Sequence, residues 1–341
     1  MTQLRCPRCG SVYDPPARFC IKDGFPLISS SEPDPAAAPK PTSWGLHRTS
    51  EMRIPARPGD PASGLQGRVL DGRYAIEKRV GEGGMAYVYR AKDRTTGEPV
   101  AIKVLMARLA NDAESVARLK REAEFAIKLD HPNVCRILAF GSASGLPYLV
   151  MPYLDGETLS RRESRGGPMA AAVGIPIVAQ ICRGLEHAHE HGVLHRDLKP
   201  ENVMLVRDPP GERAVVMDFG LAKERITGTD ATKLTATGIV LGTPEFMSPE
   251  QIRGKPLDPR SDVYGVGVLA FELFTGQLPF DGASAQETML NHLTGRPRKL
   301  RSVRPELSPK LEAVIDRTLE IDPARRFATM TELAQALEAA R

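Results

Sequence analysis

Three strand-like stretches, YAIEKRV, MAYVYRA and PVAIKVL, follow one another from Tyr74, and the first two are joined by Gly81-Glu82-Gly83-Gly84. This junction constrains the fold more than any other feature of the chain. A dinucleotide-binding fold needs its glycines between a strand and a helix. Here a second strand follows, so the glycines form the tip of a hairpin. Two readings stay open at this level. The tip is an ordinary turn, with Ala86 where a third glycine would complete GxGxxG, or it is a flap over nucleotide phosphates. In the second case the bare glycines let backbone amides approach phosphate oxygens.

Strand alternation then puts Ala101 and Lys103 on one face of PVAIKVL and Val100, Ile102 and Val104 on the other. A small residue beside a long cation suits a flat base packed over Ala101 with an ammonium reaching its phosphates. The plain alternative is a lysine on a solvated strand face. The next stretch, NDAESVARLKREAEFAIKLD, carries Val116, Leu119, Ala123, Ala126 and Leu129 at helical spacing, with Asn111 and Glu114 placed as a capping box. This helix offers Glu122 as a carboxylate to hold the Lys103 ammonium, an interaction that matters inside a closed cleft and little at a surface. Further on, IPIVAQICRGLEHAHEHG and SDVYGVGVLAFELFTG read as buried helices closed by Gly192 and Gly276 in left-handed caps. A small sheet with one helix thus precedes a mostly helical part.

The chain has 341 residues, a little over two domains' worth at roughly 150 per domain. Hydrophobic residues at 41% and charged residues at 26% exclude global disorder. The 46 Lys and Arg against 42 Asp and Glu leave a formal charge of +4, too slight to imply a nucleic-acid or polybasic membrane surface. The most apolar run is cut at both ends by Asp262 and Glu272, short of a membrane span, and the start MTQLRCPRCG lacks a signal-peptide core. A cytoplasmic address is the expectation. From Ser29 to Leu65 the composition turns to Pro, Ala, Ser and Gly without periodicity, the mark of a linker, and Trp44 lies inside it.

Three of the five cysteines crowd the first twenty residues, while Cys135 and Cys182 stand alone. That distribution suggests a metal site and two core thiols, not a disulfide framework. Cys6-x-x-Cys9-Gly has the form of a zinc knuckle, and Cys20-x-x-Asp23-Gly is a second with one ligand changed, so Cys6, Cys9, Cys20 and Asp23 are the candidate ligands of a structural Zn²⁺. A redox-active Cys6/Cys9 pair or a metal-free degenerate ribbon are the alternatives. So short a module has too little core to fold without its metal. Its cations, Arg5, Arg8, Arg18 and Lys22, are too few for nucleic-acid binding, and none is expected.

The decisive stretch is His195-Arg196-Asp197-Leu198-Lys199-Pro200-Glu201-Asn202, followed after the short strand AVVM by Asp218-Phe219-Gly220 and later by Ser248-Pro249-Glu250. With the glycine-rich turn and VAIK, these motifs come in an order that resembles the eukaryotic-like (Hanks-type) protein kinases, in particular the bacterial Ser/Thr branch. The resemblance runs from about Tyr74 to Ala340. It implies an α+β, two-lobed protein kinase fold: a small β-rich N-lobe with one main helix over 74–150, a hinge at 151–156, and a larger, mostly helical C-lobe over 157–340. The zinc-ribbon-like module at 1–28 and the linker at 29–65 precede it.

Transfer of a γ-phosphoryl group needs charge neutralisation and alignment more than covalent chemistry. The resemblance implies that Asp197 orients the substrate hydroxyl and accepts its proton, that Lys199 meets the transferring phosphate, and that Asn202 and Asp218 hold Mg²⁺ or Mn²⁺. Lys103, braced by Glu122, would hold the α- and β-phosphates of ATP beneath Gly81, Glu82, Gly83 and Gly84. Met151 takes the gatekeeper place, the Pro152 carbonyl and Leu154 amide bond the adenine, and Val88, Ala101 and Met204 sandwich it. Pro152 departs from the family's usual glutamate, and the base needs only its carbonyl. Ala86 and Ser248 are further departures, for the third glycine and for the alanine of the APE triplet. Lys199 and the Gly242-Thr243 pair imply Ser/Thr specificity, with Thr243 bonding Asp197 and Lys199. Glu250 is expected to pair with Arg326, and Asp262 to bond the catalytic-loop backbone.

Arg196 and Lys223 are cations with no nucleotide role, and such cations suit an arriving phosphate. The ending TATGIVLGT resembles a doubly phosphorylated activation loop, with Thr235 and Thr237 as autophosphorylation sites that order it. A merely Thr-rich solvated loop is the bland alternative. Protein substrates are implied, with a kinase-domain homodimer for autophosphorylation in trans. A nucleotide-binding pseudokinase scaffold is the rival reading; it predicts loss of a Lys103, Asp197, Asn202 or Asp218 equivalent, and all four are present.

Overall fold

The computed structural model describes residues 59–83, 85–209, 211–219 and 243–341, together with three short strands, Leu4–Arg5 (β1), Val12–Tyr13 (β2) and Ile28–Ser29 (β3); the side chains at 113–115, 118, 121, 122 and 125 are not described. The chain divides into two units, Met1–Arg53 and Ile54–Arg341. In the first, β1 is the centre of a three-stranded antiparallel sheet, with Leu4 opposite Tyr13 on one side and Ser29 on the other. Cys6, Cys9, Cys20, Asp23 and Trp44 lie outside the described residues.

The second unit opens with a six-stranded antiparallel sheet: Val69–Leu70 (β4), Tyr74–Glu82 (β5), Ala86–Asp93 (β6), Pro99–Leu105 (β7), Ala139–Ala143 (β8) and Leu146–Pro152 (β9), in the order β4-β5-β6-β7-β9-β8. The expected glycine-tipped hairpin is β5–β6. Register sets Val88 opposite Lys103, Lys103 opposite Leu149 and Ala101 opposite Met151, so these five share one face. The other face carries Tyr87, Tyr89, Val100, Ile102, Val104, Tyr148 and Val150, all buried.

That second face is covered by residues that precede the sheet. Pro61–Ser63 forms a single 3-10 turn capped by Asp60, whose side chain accepts from Ala62 N–H. Ala62 and Leu65 are buried against Tyr89 and Ile102, and the Tyr89 hydroxyl donates to the Ala62 carbonyl at 2.6 Å. The packed chain therefore begins by Asp60, inside the stretch expected to be linker as far as Leu65 and ahead of the expected domain start at Tyr74. Two apolar residues three apart are enough to anchor a 3-10 turn, but they give no periodicity to find in a Pro- and Gly-rich composition.

Ala107–Ala110 (α1) and Ala113–Ala126 (α2) link β7 to β8. Leu119, Ala123 and Ala126 pack with Leu105, Ile137 and Leu149, on the Lys103 side of the sheet. The expected capping box is corrected: Asn111 closes α1 in a right-handed conformation, and α2 begins two residues later, with Val116 N–H bonding the Asp112 carbonyl.

The helical part contains Gly156–Thr158 (β10), Leu159–Gly166 (α3), Ala171–Glu190 (α4), Val203–Asp208 (β11), Gly211–Val216 (β12), Pro249–Ile252 (α5), Pro259–Thr275 (α6), Ala285–Thr294 (α7), Leu300–Val303 (α8), Pro309–Thr318 (α9) and Met330–Ala339 (α10). β10, β11 and β12 form a small sheet. The two helices read as buried are α4 and α6, and their side chains are the heart of the largest apolar cluster. Gly192 after α4 and Gly276 after α6 have φ of +74° and +70°, the left-handed caps expected of them. α4 starts a turn earlier than expected, and Pro176 inside it leaves the Ala172 carbonyl without its helical N–H, where the Arg341 guanidinium donates at 3.5 Å.

α6 and α9 pack so closely at Gly267 that a Cβ there would lie 2.7 Å from the Thr318 Cβ. Gly267→Ala is expected to cost about 1–3 kcal/mol through overpacking. A denaturant midpoint unchanged from wild type would contradict that packing.

Candidate active site

The loop after α4 is fixed by a buried carboxylate in the first turn of α6. Asp262 Oδ2 accepts from His195 N–H at 2.8 Å and lies 2.7 Å from His189 Nε2, while its Oδ1 accepts from Arg196 N–H at 2.9 Å. Burial works against its charge, but the His189 hydrogen bond and the neighbouring histidines and backbone donors outweigh it and hold Asp262 below the usual carboxylate range. The expected bond to the catalytic-loop backbone is therefore present, twice over. His195 Nδ1 accepts from Asp197 N–H at 3.3 Å, which leaves Nε2 to donate to the Met217 carbonyl at 2.9 Å and fixes the neutral ring as the Nε2–H tautomer. The ring also meets Phe219 edge-on, with centroids 4.9 Å apart.

Beyond Asp197 the chain makes a 3-10 turn at Pro200–Asn202, closed by Asn202 N–H on the Lys199 carbonyl at 2.9 Å. The Asn202 amide donates from Nδ2 to the Asp197 carbonyl at 2.8 Å, which turns its Oδ1 away from the loop. Met217 N–H bonds the Asn202 carbonyl, tying this turn to the end of β12. Lys199 Nζ donates to Thr243 Oγ1 at 3.1 Å, as expected, and lies 3.6 Å from Asp197 Oδ2.

Asp218 holds a left-handed φ of +59° and accepts from Lys103 Nζ at 2.7 Å. This pair joins the sheet to the helical part, and both side chains keep partial exposure, 20% and 33%. The brace expected from Glu122 falls on a side chain outside the described residues. So Lys103 with Asp218, and Asn202, Asp197, Lys199 and Thr243, form two chains of contacts, joined through the backbone bond of Met217, the neighbour of Asp218, to Asn202. They come from β7, the catalytic loop, the segment after β12 and the segment before α5.

Of the residues expected to contact base and phosphate, Val88, Ala101, Lys103 and Met151 share one face of the sheet. Ala101 faces Met151 across β7–β9, with Val100 opposite Pro152, and Leu154 follows the strand end. Met204 lies on β11 between Thr158 and Val215. At the hairpin, Gly81 pairs with Val88 and Glu82 with Tyr87, and Gly83 N–H bonds the Ala86 carbonyl at 2.9 Å. Gly84 lies outside the described residues. Behind Met151 a cavity of about 10 Å³ is lined by Ala126, Cys135, Ile137, Leu149, Asp218 and Phe219. Burial, with a smaller effect of Asp218, pushes the Cys135 thiol up to about 12, and burial does the same to Cys182. Both behave as protonated packing groups, as their isolation in the sequence suggests.

The protein kinase domain model matches residues 74–337. The chain belongs to the protein kinase domain family. It is 42% identical over 278 residues to the serine/threonine-protein kinase pkn3 of Myxococcus xanthus, covering 80% of this chain and 51% of that one. It is 38% identical over 269 residues to the serine/threonine-protein kinase PrkC of Bacillus subtilis, covering 79% and 40%. The chain thus spans about half or less of the length of these curated relatives. The crystal structure of the Mycobacterium tuberculosis PknI kinase domain superposes with a TM-score of 0.64 at 28% identity, covering 81% of this chain and 98% of that one. The two-lobed fold of the family, a β-rich N-lobe and a helical C-lobe, is the fold described above. No helix among the described residues is long and apolar enough to cross a membrane.

Lys223, Thr235 and Thr237 lie outside the described residues, while Arg196 is described, with φ of +65°. Glu250 and Arg326 form the expected pair, bidentate at 2.7 and 2.9 Å. Sequence reasoning missed His189, which shares Asp262 with the loop. Nothing in HAHEHG singles out one histidine; only the packing of α4 on α6 does.

Proposed function

We propose that this chain is a protein serine/threonine kinase, transferring the γ-phosphoryl group of ATP to Ser and Thr hydroxyls of proteins. The observation that carries this reading is the Lys103–Asp218 pair, tied through the Met217 backbone to the contacts that run from Asn202 through Asp197 and Lys199 to Thr243. Asp197 orients the attacking hydroxyl and takes its proton. Lys199, held by Thr243, meets the transferring phosphate, and Lys103 holds the α- and β-phosphates. Glu122 braces Lys103 in the active arrangement. Gly81, Glu82, Gly83 and Gly84 cover the phosphates; Val88, Ala101, Met151 and Met204 enclose the adenine, bonded by Pro152 O and Leu154 N–H.

The donor set suits Mg²⁺. Asn202 commits its Nδ2 inward and presents Oδ1, and Asp218 offers a partly exposed carboxylate, both hard oxygens. When bound, the metal neutralises the charge of the phosphate oxygens. Lys103 Nζ occupies one Asp218 oxygen here, so nucleotide binding exchanges that contact for a phosphate.

The kinase domain proper extends over 74–340, divided at the hinge 151–156. Arg196 and Lys223 receive phosphate on Thr235 and Thr237, added in trans by a second copy. Incubation with Mg²⁺ and ATP should place phosphate on Ser or Thr and none on Tyr, with Thr235 or Thr237 among the mapped sites. Thr235→Ala/Thr237→Ala is expected to lower activity at least about 10-fold, the scale of a lost set of charge-assisted contacts. Unchanged activity would sink the switch and leave the kinase reading standing.

For the N-terminal module we infer a structural zinc held by Cys6, Cys9, Cys20 and Asp23. In support, β1 and β2 pair directly on either side of residues 6–11, the knuckle stretch. Metal analysis of the full chain should find about one zinc per chain, lost in Cys6→Ser/Cys9→Ser. Absence of zinc from wild type purified without chelator would refute it.

A further inference from the structure

The residue before Asp197 is held in place from both sides. Arg196 has a left-handed φ of +65°, a conformation that a non-glycine residue keeps only when its surroundings impose it. Its N–H is bonded to Asp262 Oδ1 at 2.9 Å. Its carbonyl accepts from Gln251 Nε2 at 2.7 Å. Asp262 belongs to the buried helix α6 and Gln251 to the short helix α5, so the two ties come from different parts of the fold.

Gln251 has a second engagement at its other end. Its Oε1 accepts from Ser248 N–H at 2.9 Å, and the Ser248 hydroxyl accepts from Gln251 N–H at 3.3 Å, a reciprocal capping box on α5. One primary amide thus links the start of α5 to the catalytic loop. A primary amide serves both, because the two targets are an N–H donor and a carbonyl acceptor, whereas a carboxylate could accept from the first but not donate to the second.

The bonded carbonyl belongs to the peptide group that joins Arg196 to Asp197. That group is planar, so fixing its oxygen fixes the direction of Asp197 N–H, which points at His195 Nδ1. Rotation of the plane would swing Asp197 relative to Lys199 and Asn202. We propose that Gln251 is a positioning residue for Asp197, setting the 196–197 peptide plane and coupling it to the segment that runs from Thr243 into α5. This rests on the kinase reading of Asp197.

The bulk stability of α5 has another source, the Glu250–Arg326 pair, so the Gln251 amide can be altered selectively. Gln251→Glu keeps the shape and the acceptor for Ser248 N–H, but removes the donor to Arg196 O and sets a carboxylate against that carbonyl. Gln251→Met removes both bonds. The full chain of each is assayed with Mg²⁺-ATP for phosphate transfer to dephosphorylated casein and to itself, alongside ATP affinity and thermal midpoint. Both variants are expected to lose kcat by about 10- to 100-fold, the cost of misplacing a reacting group by a fraction of an ångström to an ångström, while KM for ATP and the midpoint of Gln251→Glu stay near wild type. Three results overturn the inference: wild-type kcat in Gln251→Glu with loss only in Gln251→Met, which assigns the effect to the cap; a raised KM with kcat intact; or a fall in midpoint and ATP affinity parallel to kcat, the mark of a merely structural residue. A wild-type chain that transfers no phosphate removes the kinase reading and this inference together, whereas an active wild type with an equally active Gln251→Glu removes this inference alone.

Discussion

Asp197→Asn is expected to reduce phosphate transfer by about 10²- to 10⁴-fold, the range for loss of a positioned general base, while ATP binding and fold persist. Two contacts that shape the loop at this position are made by its backbone. Asp197 N–H donates to His195 Nδ1, and the Asp197 carbonyl accepts from Asn202. An asparagine side chain leaves both intact and matches the carboxylate in size. What it loses is the capacity to accept a proton and the negative charge 3.6 Å from Lys199 Nζ. Mass-spectrometric mapping after incubation with Mg²⁺-ATP should find phosphothreonine or phosphoserine in wild type and almost none in the variant. Equal incorporation in both proteins would mean that Asp197 takes no part in the transfer, and the mechanism built on it would fall.

The parts of this site that could be read from the sequence are those where one local rule decides the outcome. Two-residue alternation is enough to put Ala101 and Lys103 on one face of β7, and pairing with β9 then brings Met151 and Leu149 to them. The caps at Gly192 and Gly276 follow from glycine at a helix end. The motif order carries Asp262 and the Glu250–Arg326 pair, whose partners stand far apart in the chain.

What stayed hidden depends on tertiary choice among equivalent candidates. The Lys103 ammonium lies on Asp218, a partner 115 residues away, and no local rule of strand or helix links the two. His189 bonds Asp262 across 73 residues, and only the packing of α4 on α6 distinguishes it from its neighbours. Ala62 and Leu65 complete the far face of the sheet from a stretch whose composition reads as linker. Asn111 suits a helix start by residue type, but the short α1 uses it as an end. In each case several residues have the right chemistry, and packing selects one.

Arg326→Met is the substitution expected to cost most stability. The Arg326 side chain is fully buried and Glu250 is 7% exposed, so removing the cation leaves a carboxylate in the interior without its partner. Breaking a buried pair in this way costs about 3–5 kcal/mol. Arg326 also donates to the carbonyls of Arg260, Glu320 and Ile321 and lies over the Tyr264 ring at 4.8 Å, so those acceptors lose their donor too. Glu250→Gln should cost less, because the cation keeps its three carbonyls and the ring. The pair also has a pH signature. Burial tends to raise the Glu250 pKa, but the Arg326 hydrogen bonds and charge outweigh it, and the carboxyl sits below its ordinary value. A depressed folded pKa contributes stability that is fully present above the unfolded pKa of about 4.3 and is lost as pH falls through the folded one. Wild type should therefore lose stability more steeply than Glu250→Gln below about pH 4.3, and the two should run parallel above it. Denaturant midpoints for both variants between neutral pH and pH 3.5 would test the argument. An Arg326→Met chain as stable as wild type, or a Glu250→Gln chain with an undiminished acid slope, would show that this pair is not what anchors α5 to the C-terminal helices.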